Sequence, residues 1–449
     1  MKHLGNLTRN RFRLATVLFG AVLLLGGPVA GAVEAPMTDV AIHDAIEDEF
    51  AFSQAVPVDL IEIEVQAGRV TLRGSVPSLL ARQRAARLAE TVRGVREVSN
   101  MVEVAPRYGR MDWQIERDIQ AALLHDETVD SWEVDVAVDE NVATLTGTVD
   151  SRQEKTLVET VVKGVRGVVG VDNNIAVEYD TPRSDAQIEA QVNNVLEWDR
   201  LVDDAQIEVN VDNAVVQLRG SVGSAAEKRR AVETAWVPGV RRVDGSGLTV
   251  EEWARDRKLQ GDVAEEKAPG DIEDAVQSAL EQAPRVPAAD VRVSVEDGIA
   301  TLRGTVDNLK AKRDAAETAR ETVGVDRVKN RIKVRPGDEM DDEEVAELVE
   351  DALARDPYVE RYDTVVQVVD GSAFLTGTVD TYFEKGRADD VAARTAGVTN
   401  VRNRLQVESP RDPVVYEPYT LDAYPYESEW YDYRPEMTFK EDEDIKEDI

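Results

Sequence analysis

The chain has 449 residues, of which 88 are acidic and 53 are lysine or arginine, so its formal net charge at pH 7 is −35. A charge this negative repels nucleic acid phosphates, which excludes nucleic acid as a partner; it also disfavours a flat anionic membrane as a partner of the whole surface, although local basic patches could still bind one. The sequence has no cysteine. Disulfides and lipid-modified cysteines are therefore excluded, and packed cores must stabilise the fold.

The amino terminus has the pattern of a secretory signal peptide over residues 1–32. Four basic residues precede a 12-residue apolar run at residues 14–25, and the small-residue site Ala30-Gly31-Ala32 follows. This order predicts export and cleavage after Ala32, which would leave a mature chain with a net charge of −39. Twelve apolar residues are short for a membrane span, so an uncleaved anchor is the weaker alternative, and no later stretch of the sequence could cross a bilayer.

A six-residue motif recurs along the sequence and organises the rest of it. It reads TLRGSV at residues 71–76, and its other copies occupy residues 144–149, 217–222, 301–306 and 374–379. The glycines of the motif, which are spaced by 73, 73, 84 and 73 residues, are Gly74, Gly147, Gly220, Gly304 and Gly377. Such regular spacing indicates a five-fold internal repeat. Each repeat has the length of a small domain, which favours five separate domains on a string over one continuous core.

Each repeat is predicted to begin with an amphipathic helix, called here the opening helix. Apolar residues recur at every fourth position, and acidic residues crowd the start of the helix, where they suit its dipole. The apolar positions are Ile42, Ile46 and Phe50; Ile115, Ile119 and Leu123; Ile188, Val192 and Leu196; Ile272, Val276 and Leu280; and Val345, Val349 and Leu353.

Two strands joined by a tight turn are predicted to follow. The first alternates apolar and polar residues, as in Val291, Val293 and Val295, and the second is the recurring motif. The residues between them tolerate positive φ, which predicts an antiparallel hairpin. The turn pairs are Ala67-Gly68, Glu140-Asn141, Asp212-Asn213, Asp297-Gly298 and Asp370-Gly371.

The glycine of the motif is predicted to be structural. Alternation places it on the apolar face of the second strand, and we expect its missing side chain to let a helix approach the backbone closely. No second or third glycine stands at the spacing that a nucleotide-binding loop requires, so a phosphate-binding role is disfavoured.

A second helix and a last strand complete each repeat. The second helix is predicted to end at a glycine, to bury small residues such as Ala315 and Ala319, and to begin near Pro77, Asp150, Gly223, Asp307 or Asp380. The last strand carries a Val-x-Asn-x-apolar-x-Val pattern, for example at residues 328–334. The third copy, residues 243–250, is one residue longer and lacks the asparagine, which predicts a bulge.

This order of elements, with its central glycine and terminal asparagine pattern, resembles the BON domain, a family named for bacterial osmotically inducible and nodulation proteins. The resemblance covers residues 38–407. It implies an α+β fold in which each repeat has a three-stranded mixed sheet covered on one face by two helices. It also implies a periplasmic protein that responds to osmotic or envelope stress, and that binds phospholipid surfaces or assists the maturation of outer-membrane proteins.

The spacing of the elements predicts the domain boundaries. Repeats 1 to 5 are expected at residues 38–105, 111–178, 184–250, 270–335 and 339–407, with a charged linker at residues 251–269. The tail, residues 408–449, has 14 acidic and four basic residues and interspersed aromatic residues. Its composition is typical of disorder, while docking on a partner or on an exposed sheet face of the same chain is the alternative.

The sequence contains no pattern that indicates catalysis. The mature chain has two histidines, His43 and His125, which occupy different places in their repeats, so no repeated ligand set exists for zinc or copper. Neither a nucleophile elbow nor a Walker loop nor a calcium-binding loop occurs. We therefore expect neither an enzyme nor a bound metal or cofactor.

Basic residues cluster on the outer faces of the second helices. We expect these faces to contact anionic phospholipid headgroups, at about 1 kcal/mol per basic residue near such a surface. The alternative is ion pairing with acidic residues inside a repeat or between repeats, which the net charge favours. The residues are Arg82, Arg84, Arg87, Lys228, Arg229, Arg230, Lys310, Lys312 and Arg313.

These observations predict a non-enzymatic periplasmic scaffold that acts in envelope stress and binds phospholipid surfaces. The alternative is a chaperone-like or protein-binding array for envelope client proteins, which would use the polar sheet faces and the aromatic tail. A small-ion sensor is a third and weaker alternative.

Overall fold

The computed structural model describes residues 37–106, 109–126, 134–179, 182–255, 267–337, 340–359 and 364–408. Every repeat contains the two predicted helices. The opening helices span Asp39–Ser53, Asp112–Leu124, Asp185–Trp198, Pro269–Glu281 and Asp342–Arg355. The second helices span Leu79–Thr91, Arg152–Lys163, Ala225–Thr234, Leu309–Arg320 and Tyr382–Arg394.

Each repeat also forms the predicted mixed sheet. The first strands span Ile61–Gln66, Val134–Asp139, Ile207–Asp212, Val291–Glu296 and Thr364–Val369, and the second strands span Arg69–Val76, Val142–Val149, Val215–Val222, Ile299–Val306 and Ser372–Val379. The last strand is continuous in repeats 3 and 4, at Arg242–Val250 and Arg327–Val334. In repeats 1, 2 and 5 it is interrupted and forms two short pieces: Glu97–Asn100 and Glu103–Val104, Gly170–Asn173 and Ala176–Val177, and Asn400–Asn403 and Gln406–Val407. The second strand lies in the centre, antiparallel to the first and parallel to the last. This confirms the predicted α+β fold.

The opening helices bury the face that their periodicity predicted. All fifteen predicted apolar positions are at most 5% exposed, because residues four apart share one side of a helix. In four repeats the first residue of this helix is an aspartate whose carboxylate accepts hydrogen bonds from the hairpin turn. Asp39, for example, accepts from the backbone N–H of Gly68 at 2.9 Å and of Ala67 at 2.8 Å. These bonds hold the pKa of Asp39 below its ordinary value.

The hairpin turns have positive φ at both central residues, as a two-residue turn of type I′ requires. Four of the five predicted turn pairs are correct. In repeat 3 the turn is Asn213-Ala214, with φ of 51° and 59°, and not Asp212-Asn213. Asp212 is the last residue of the first strand there and pairs with Val215.

The motif glycine is required by a different contact from the one expected. Its φ lies between +114° and +147° in the five repeats, a conformation that side chains rarely adopt. A Cβ on Gly74, Gly220 or Gly304 would collide with a backbone carbonyl oxygen of the short 3₁₀ turn that precedes the first strand. In these three repeats the nearest neighbour of the glycine is therefore this turn and not the helix that was predicted.

The second helices begin one residue later than predicted. Their N-caps are Ser78, Ser151, Ser224, Asn308 and Thr381, and each side chain accepts a hydrogen bond from a backbone N–H of the first turn. These hydroxyl and amide side chains satisfy donors that the helix leaves free. The predicted glycines lie three to five residues past the helix ends, with positive φ.

The asparagine of the last strand connects that strand to the second helix. Asn330 Nδ2 donates to the carbonyl oxygen of Lys312 at 2.6 Å, and its Oδ1 accepts from the N–H of Ile332 at 3.1 Å. Asn100, Asn173 and Asn403 make the same pair of contacts. In repeat 3, which lacks the asparagine, the register of the last strand shifts between Gln217 and Arg219. The predicted bulge is confirmed.

The five repeats have separate cores, yet they are not independent beads. Leu79 of repeat 1 packs into the core of repeat 2, and Ala225 of repeat 3 packs into that of repeat 1. Tyr358 and Phe383 of repeat 5 also pack against the core of repeat 1, and Trp198 of repeat 3 against that of repeat 4. Repeats far apart in sequence are therefore in contact.

Several expectations concern residues outside these ranges. The predicted signal peptide, most of the charged linker and residues 409–449 of the tail are among them. Within the described ranges, no helix combines the length and the apolar composition needed to cross a bilayer.

Candidate functional site

The nine basic residues predicted to contact headgroups lie in different environments. Arg84 and Arg87 are exposed, and Arg82 and the six residues of repeats 3 and 4 are half-buried. Most of the half-buried ones are engaged by other groups of the protein. Lys228 Nζ donates to the carbonyl oxygen of Leu248 at 2.7 Å, and Lys310 pairs with Asp314 one turn along the same helix.

Arg229 and Arg230 join repeat 3 to its neighbours. Arg229 Nε lies 2.6 Å from Glu90 of repeat 1, and Arg230 Nη2 lies 2.8 Å from Glu321 of repeat 4. Arg230 also pairs with the buried Asp199 of its own repeat at 2.6 Å. Burial opposes ionisation of Arg230, but the two carboxylates outweigh burial and raise its pKa. The positive charge of Arg230 is therefore paired within the protein, in part with a carboxylate of the neighbouring repeat.

Arg313 likewise connects two repeats, because its guanidinium pairs with Asp389 in the second helix of repeat 5. These helices of repeats 4 and 5 contact each other, as do those of repeats 1 and 3. The second helices of repeats 4 and 5 thus face each other, as do those of repeats 1 and 3. Some of the nine basic residues are therefore covered by a neighbouring repeat.

The second helix of repeat 1 keeps the most accessible part of the set. Arg84 and Arg87 are exposed, and Arg84 lies with its guanidinium carbon 5.7 Å from the ring centroid of Phe383 in repeat 5. Within the described residues, no carboxylate lies within ion-pair distance of Arg82, Arg84 or Arg87.

A different basic surface, which the sequence interpretation missed, covers the sheet of repeat 4. Arg292, Arg303 and Arg331 form a row across its three strands, since Arg303 is the register partner of both others. Lys329 and Lys333 lie on either side of Arg331 along the last strand. We call this surface the basic sheet face; its residues, all exposed, are Arg292, Arg303, Arg327, Lys329, Arg331 and Lys333.

The basic sheet face is peculiar to repeat 4. The position of Arg292 is taken by Glu62, Asp135 and Glu208 in repeats 1, 2 and 3, and by Val365 in repeat 5. On the face itself the one carboxylate is Glu296, next to the hairpin. Among the described residues, no ion pair joins any of the six basic side chains to a carboxylate.

Three arginines in one row oppose the stability of the sheet. Like charges directly opposite each other on neighbouring strands are destabilising, by a few tenths of a kcal/mol to about 1 kcal/mol for each pair. The row formed by Arg292, Arg303 and Arg331 therefore costs folding free energy, and an anionic ligand would relieve that repulsion. This electrostatic imbalance distinguishes the face from the paired arginines of the second helices.

A signal for this face was present in the sequence. Basic residues alternate with core residues at positions 327, 329, 331 and 333 of the last strand, and alternation places such residues on one side of a sheet. This alternation alone does not show the whole face, because the register between strands is needed to place Arg292 and Arg303 beside these residues.

One group of possible metal ligands occurs among the described residues. His43 Nδ1 lies 3.3 Å from Asp44 Oδ1 and 3.9 Å from Glu47 Oε2, on one turn of the opening helix of repeat 1. Both carboxylates are exposed. Solvated acidic groups of this kind are common without an ion, and the three residues do not support a metal site.

Two narrow spaces occur between repeats. The smaller, of about 40 Å³, lies between repeats 2 and 5 and is lined by His125, Asp126, Arg355 and Arg394 among others. Burial and the nearby Arg387 lower the pKa of Arg394 to about 10. The larger, of about 190 Å³, lies between repeats 1 and 3 beside Gly68 and Glu252. Neither contains a nucleophile and base arranged for catalysis.

Comparison with known proteins agrees with the repeat structure. A family model of the BON domain matches residues 38–106, 112–179, 184–252, 270–336 and 341–409. The chain belongs to the BON domain family. A related protein is osmotically-inducible protein Y of Escherichia coli K12, which is 31% identical over 139 residues; the match covers 30% of this chain and 69% of that protein.

Solved structures add little to this assignment. Two matches are to CdsD, a structural protein of the type III secretion system of Chlamydia trachomatis. One match is 15% identical and covers 45% of this chain and 89% of the other, and its TM-score is 0.13. The second match, to the C-terminal domain of CdsD, is 17% identical. It covers 51% of this chain and 100% of the other, and its TM-score is 0.14. Scores this low support no inference about this BON domain protein.

Proposed function

We propose that this BON domain protein is an exported, periplasmic, non-enzymatic protein of the osmotic or envelope stress response, and that it binds anionic phospholipid surfaces. The relationship to osmotically-inducible protein Y supports the stress role. The signal-peptide pattern of residues 1–32 supports export.

The observation that carries the lipid-binding part is the basic sheet face of repeat 4. It presents six exposed basic side chains without a carboxylate partner among the described residues. A polybasic surface gains about 1 kcal/mol per basic residue near an anionic membrane. Since the chain has a net charge of −35, most of its surface would be repelled, and this face would orient repeat 4 towards the headgroups.

The basic residues of the second helices are the second part of this proposal. Arg84 and Arg87 of repeat 1 are the best placed of the nine, because they are exposed and the other seven, Arg82 included, are half-buried. Arg229, Arg230 and Arg313 would first have to leave ion pairs with neighbouring repeats. We therefore place the main contact on repeat 4 and a weaker one on repeat 1.

A protein-binding role is the second candidate, supported by exposed apolar side chains. Phe52 is 86% exposed and Tyr382 is 73% exposed. Both lie where repeats 1 and 5 meet, since the backbone N–H of Tyr382 donates to Gln54 Oε1 at 3.1 Å. Such a surface could hold an apolar segment of an envelope client protein.

Vesicle co-sedimentation at low and at high salt tests the proposal. The mature chain, residues 33–449, is expected to sediment with anionic vesicles at low salt and not with neutral vesicles. It should dissociate from the anionic vesicles at molar salt, because salt screens the attraction to the headgroups. Absence of binding to anionic vesicles at low salt would contradict the lipid-binding proposal. Equal, salt-resistant binding to both kinds of vesicle would favour an apolar contact instead.

A further inference from the structure

An anionic occupant would stabilise the basic sheet face whether or not a membrane is present. Arg292, Arg303 and Arg331 are opposite one another across the three strands, and like charges so placed repel. Bulk salt screens this repulsion incompletely at short range. An anionic segment that is always nearby would stabilise the sheet.

The chain carries such a segment. Residues 409–449 contain 13 acidic and four basic residues, a net charge opposite to that of the face. The segment begins directly after Glu408, at the end of the last strand of repeat 5. Repeat 5 contacts repeat 4 through Arg313 and Asp389. An extended chain spans about 3.3 Å per residue, so the segment is long enough to reach the far side of its neighbour.

The aromatic residues of the segment fit an arginine-rich surface as well. Arginine guanidinium groups stack on aromatic rings and simultaneously pair with carboxylates. The segment has eight aromatic residues, and each has an acidic residue within two positions; they are Tyr416, Tyr419, Tyr424, Tyr426, Trp430, Tyr431, Tyr433 and Phe439.

We propose that the acidic aromatic tail, residues 409–449, docks on the basic sheet face of repeat 4 of the same chain. A tethered segment acts at an effective concentration in the millimolar range, so the tail occupies the face at low ionic strength. Salt weakens the contact because much of it is electrostatic. The tail thereby competes with any other anionic ligand of the face. An anionic vesicle, which presents many headgroups at once, is expected to displace the tail at low salt, and a rise in salt weakens both contacts.

This inference concerns the face that the proposed function uses, but it does not require that face to bind lipid. Its test therefore contains no lipid, and failure of one proposal leaves the other standing. The probe is a carbodiimide, which joins a carboxylate to a lysine amine by an amide bond only when the two are in contact. Lys329 and Lys333 of the face supply the amines.

The experiment uses the mature full-length chain at low concentration and low salt. Mass spectrometry is expected to find amide links from carboxylates of residues 409–449 to Lys329 or Lys333 in the monomer, and to find at least ten-fold fewer in molar salt. Tail links absent from both lysines, or made equally to the lysines of repeats 2, 3 and 5, would overturn the proposal.

Two further arms separate docking from its alternatives. The variant Arg292→Glu/Arg303→Glu/Arg331→Glu keeps both lysines and is expected to lose the links, whereas Arg82→Glu/Arg84→Glu/Arg87→Glu changes the net charge equally and is expected to keep them. Mixing isotopically light and heavy chains distinguishes the copies. Links that join a light tail to a heavy repeat 4 as often as to a light one would show that the occupant is a second copy, and would overturn docking within one chain.

Discussion

Arg285 of repeat 4 donates two hydrogen bonds from Nη1 to the carboxylate of Asp126 in repeat 2, at 2.9 Å to Oδ1 and 2.7 Å to Oδ2. Both residues are buried, with 8% and 4% of their surface exposed. Repeats 2 and 4 are not neighbours in sequence. This pair therefore holds together an arrangement that a string of independent domains would lack.

Removing Arg285 should destabilise this arrangement strongly. In Arg285→Met the carboxylate of Asp126 would stay buried with less compensation, and breaking a buried pair costs about 3–5 kcal/mol. Urea unfolding followed by circular dichroism should show an earlier first transition. The double variant Arg285→Met/Asp126→Leu should recover much of the loss, since both charges are then gone. The control is Arg69→Met, because the side chain of Arg69 is 76% exposed beside Glu97; this change should alter stability by less than about 1 kcal/mol. Equal effects of Arg285→Met and Arg69→Met would show that the buried pair is unimportant.

His125 should make the contact between repeats 2 and 5 sensitive to acid. Burial, followed by the charge of Arg355, lowers its pKa, while Asp351 acts in the opposite direction. A histidine with a lowered folded pKa binds its proton more readily in the unfolded chain, so stability falls as pH drops below about 6.5. The slope is at most about 1.4 kcal/mol per pH unit for one group.

Thermal unfolding between pH 7 and pH 5 measures this dependence. His125→Gln should flatten the decline seen in the wild-type protein, because the group that binds the proton is then absent. Identical pH profiles for the wild type and His125→Gln would refute the assignment.

Gly304 should tolerate no side chain. Its φ is +147°, and a Cβ would collide with the carbonyl oxygen of Asp290. Gly304→Ala should therefore lose on the order of 3 kcal/mol of unfolding free energy, from backbone strain and displacement of the turn. Gly270, in the opening helix of the same repeat, has no atom within 4 Å of a built Cβ, so Gly270→Ala should gain up to about 1 kcal/mol. Denaturant unfolding of both variants checks the opposite signs; a loss in both, or in neither, would contradict this account.

The sequence allowed the fold of a repeat to be predicted because that fold is encoded locally. The spacing of Ile272, Val276 and Leu280 indicates one helix face. The third copy of the asparagine pattern, which is one residue longer and lacks the asparagine, indicates a bulge. The contacts between repeats are not encoded locally. Arg229 meets Glu90 across 139 positions, and a charged residue on a helix has the same sequence pattern whether it faces water or another repeat. The contact of Gly304 was misassigned for a related reason, since alternation shows the side of a strand but not the neighbour on that side.

The structure adds a second basic surface to the basic helix residues that the sequence suggested. Whether either surface binds headgroups stays a prediction. The sequence predicted that Arg230 and Arg313 lie on outer helix faces, whereas in the structure they pair with carboxylates of neighbouring repeats. The basic sheet face needed the strand register that brings Arg303 opposite both Arg292 and Arg331.

In the proposed function, the basic sheet face of repeat 4 contacts anionic lipid. The most direct measurement is the affinity of three mature chains for anionic vesicles at low salt: the wild type, Arg292→Glu/Arg303→Glu/Arg331→Glu, and Arg82→Glu/Arg84→Glu/Arg87→Glu. The two variants carry the same change in net charge, so a difference between them reports on location alone. We predict at least a ten-fold loss of affinity for the repeat 4 variant and a smaller loss for the repeat 1 variant. Equal affinities of the wild type and the repeat 4 variant would contradict the lipid-binding proposal.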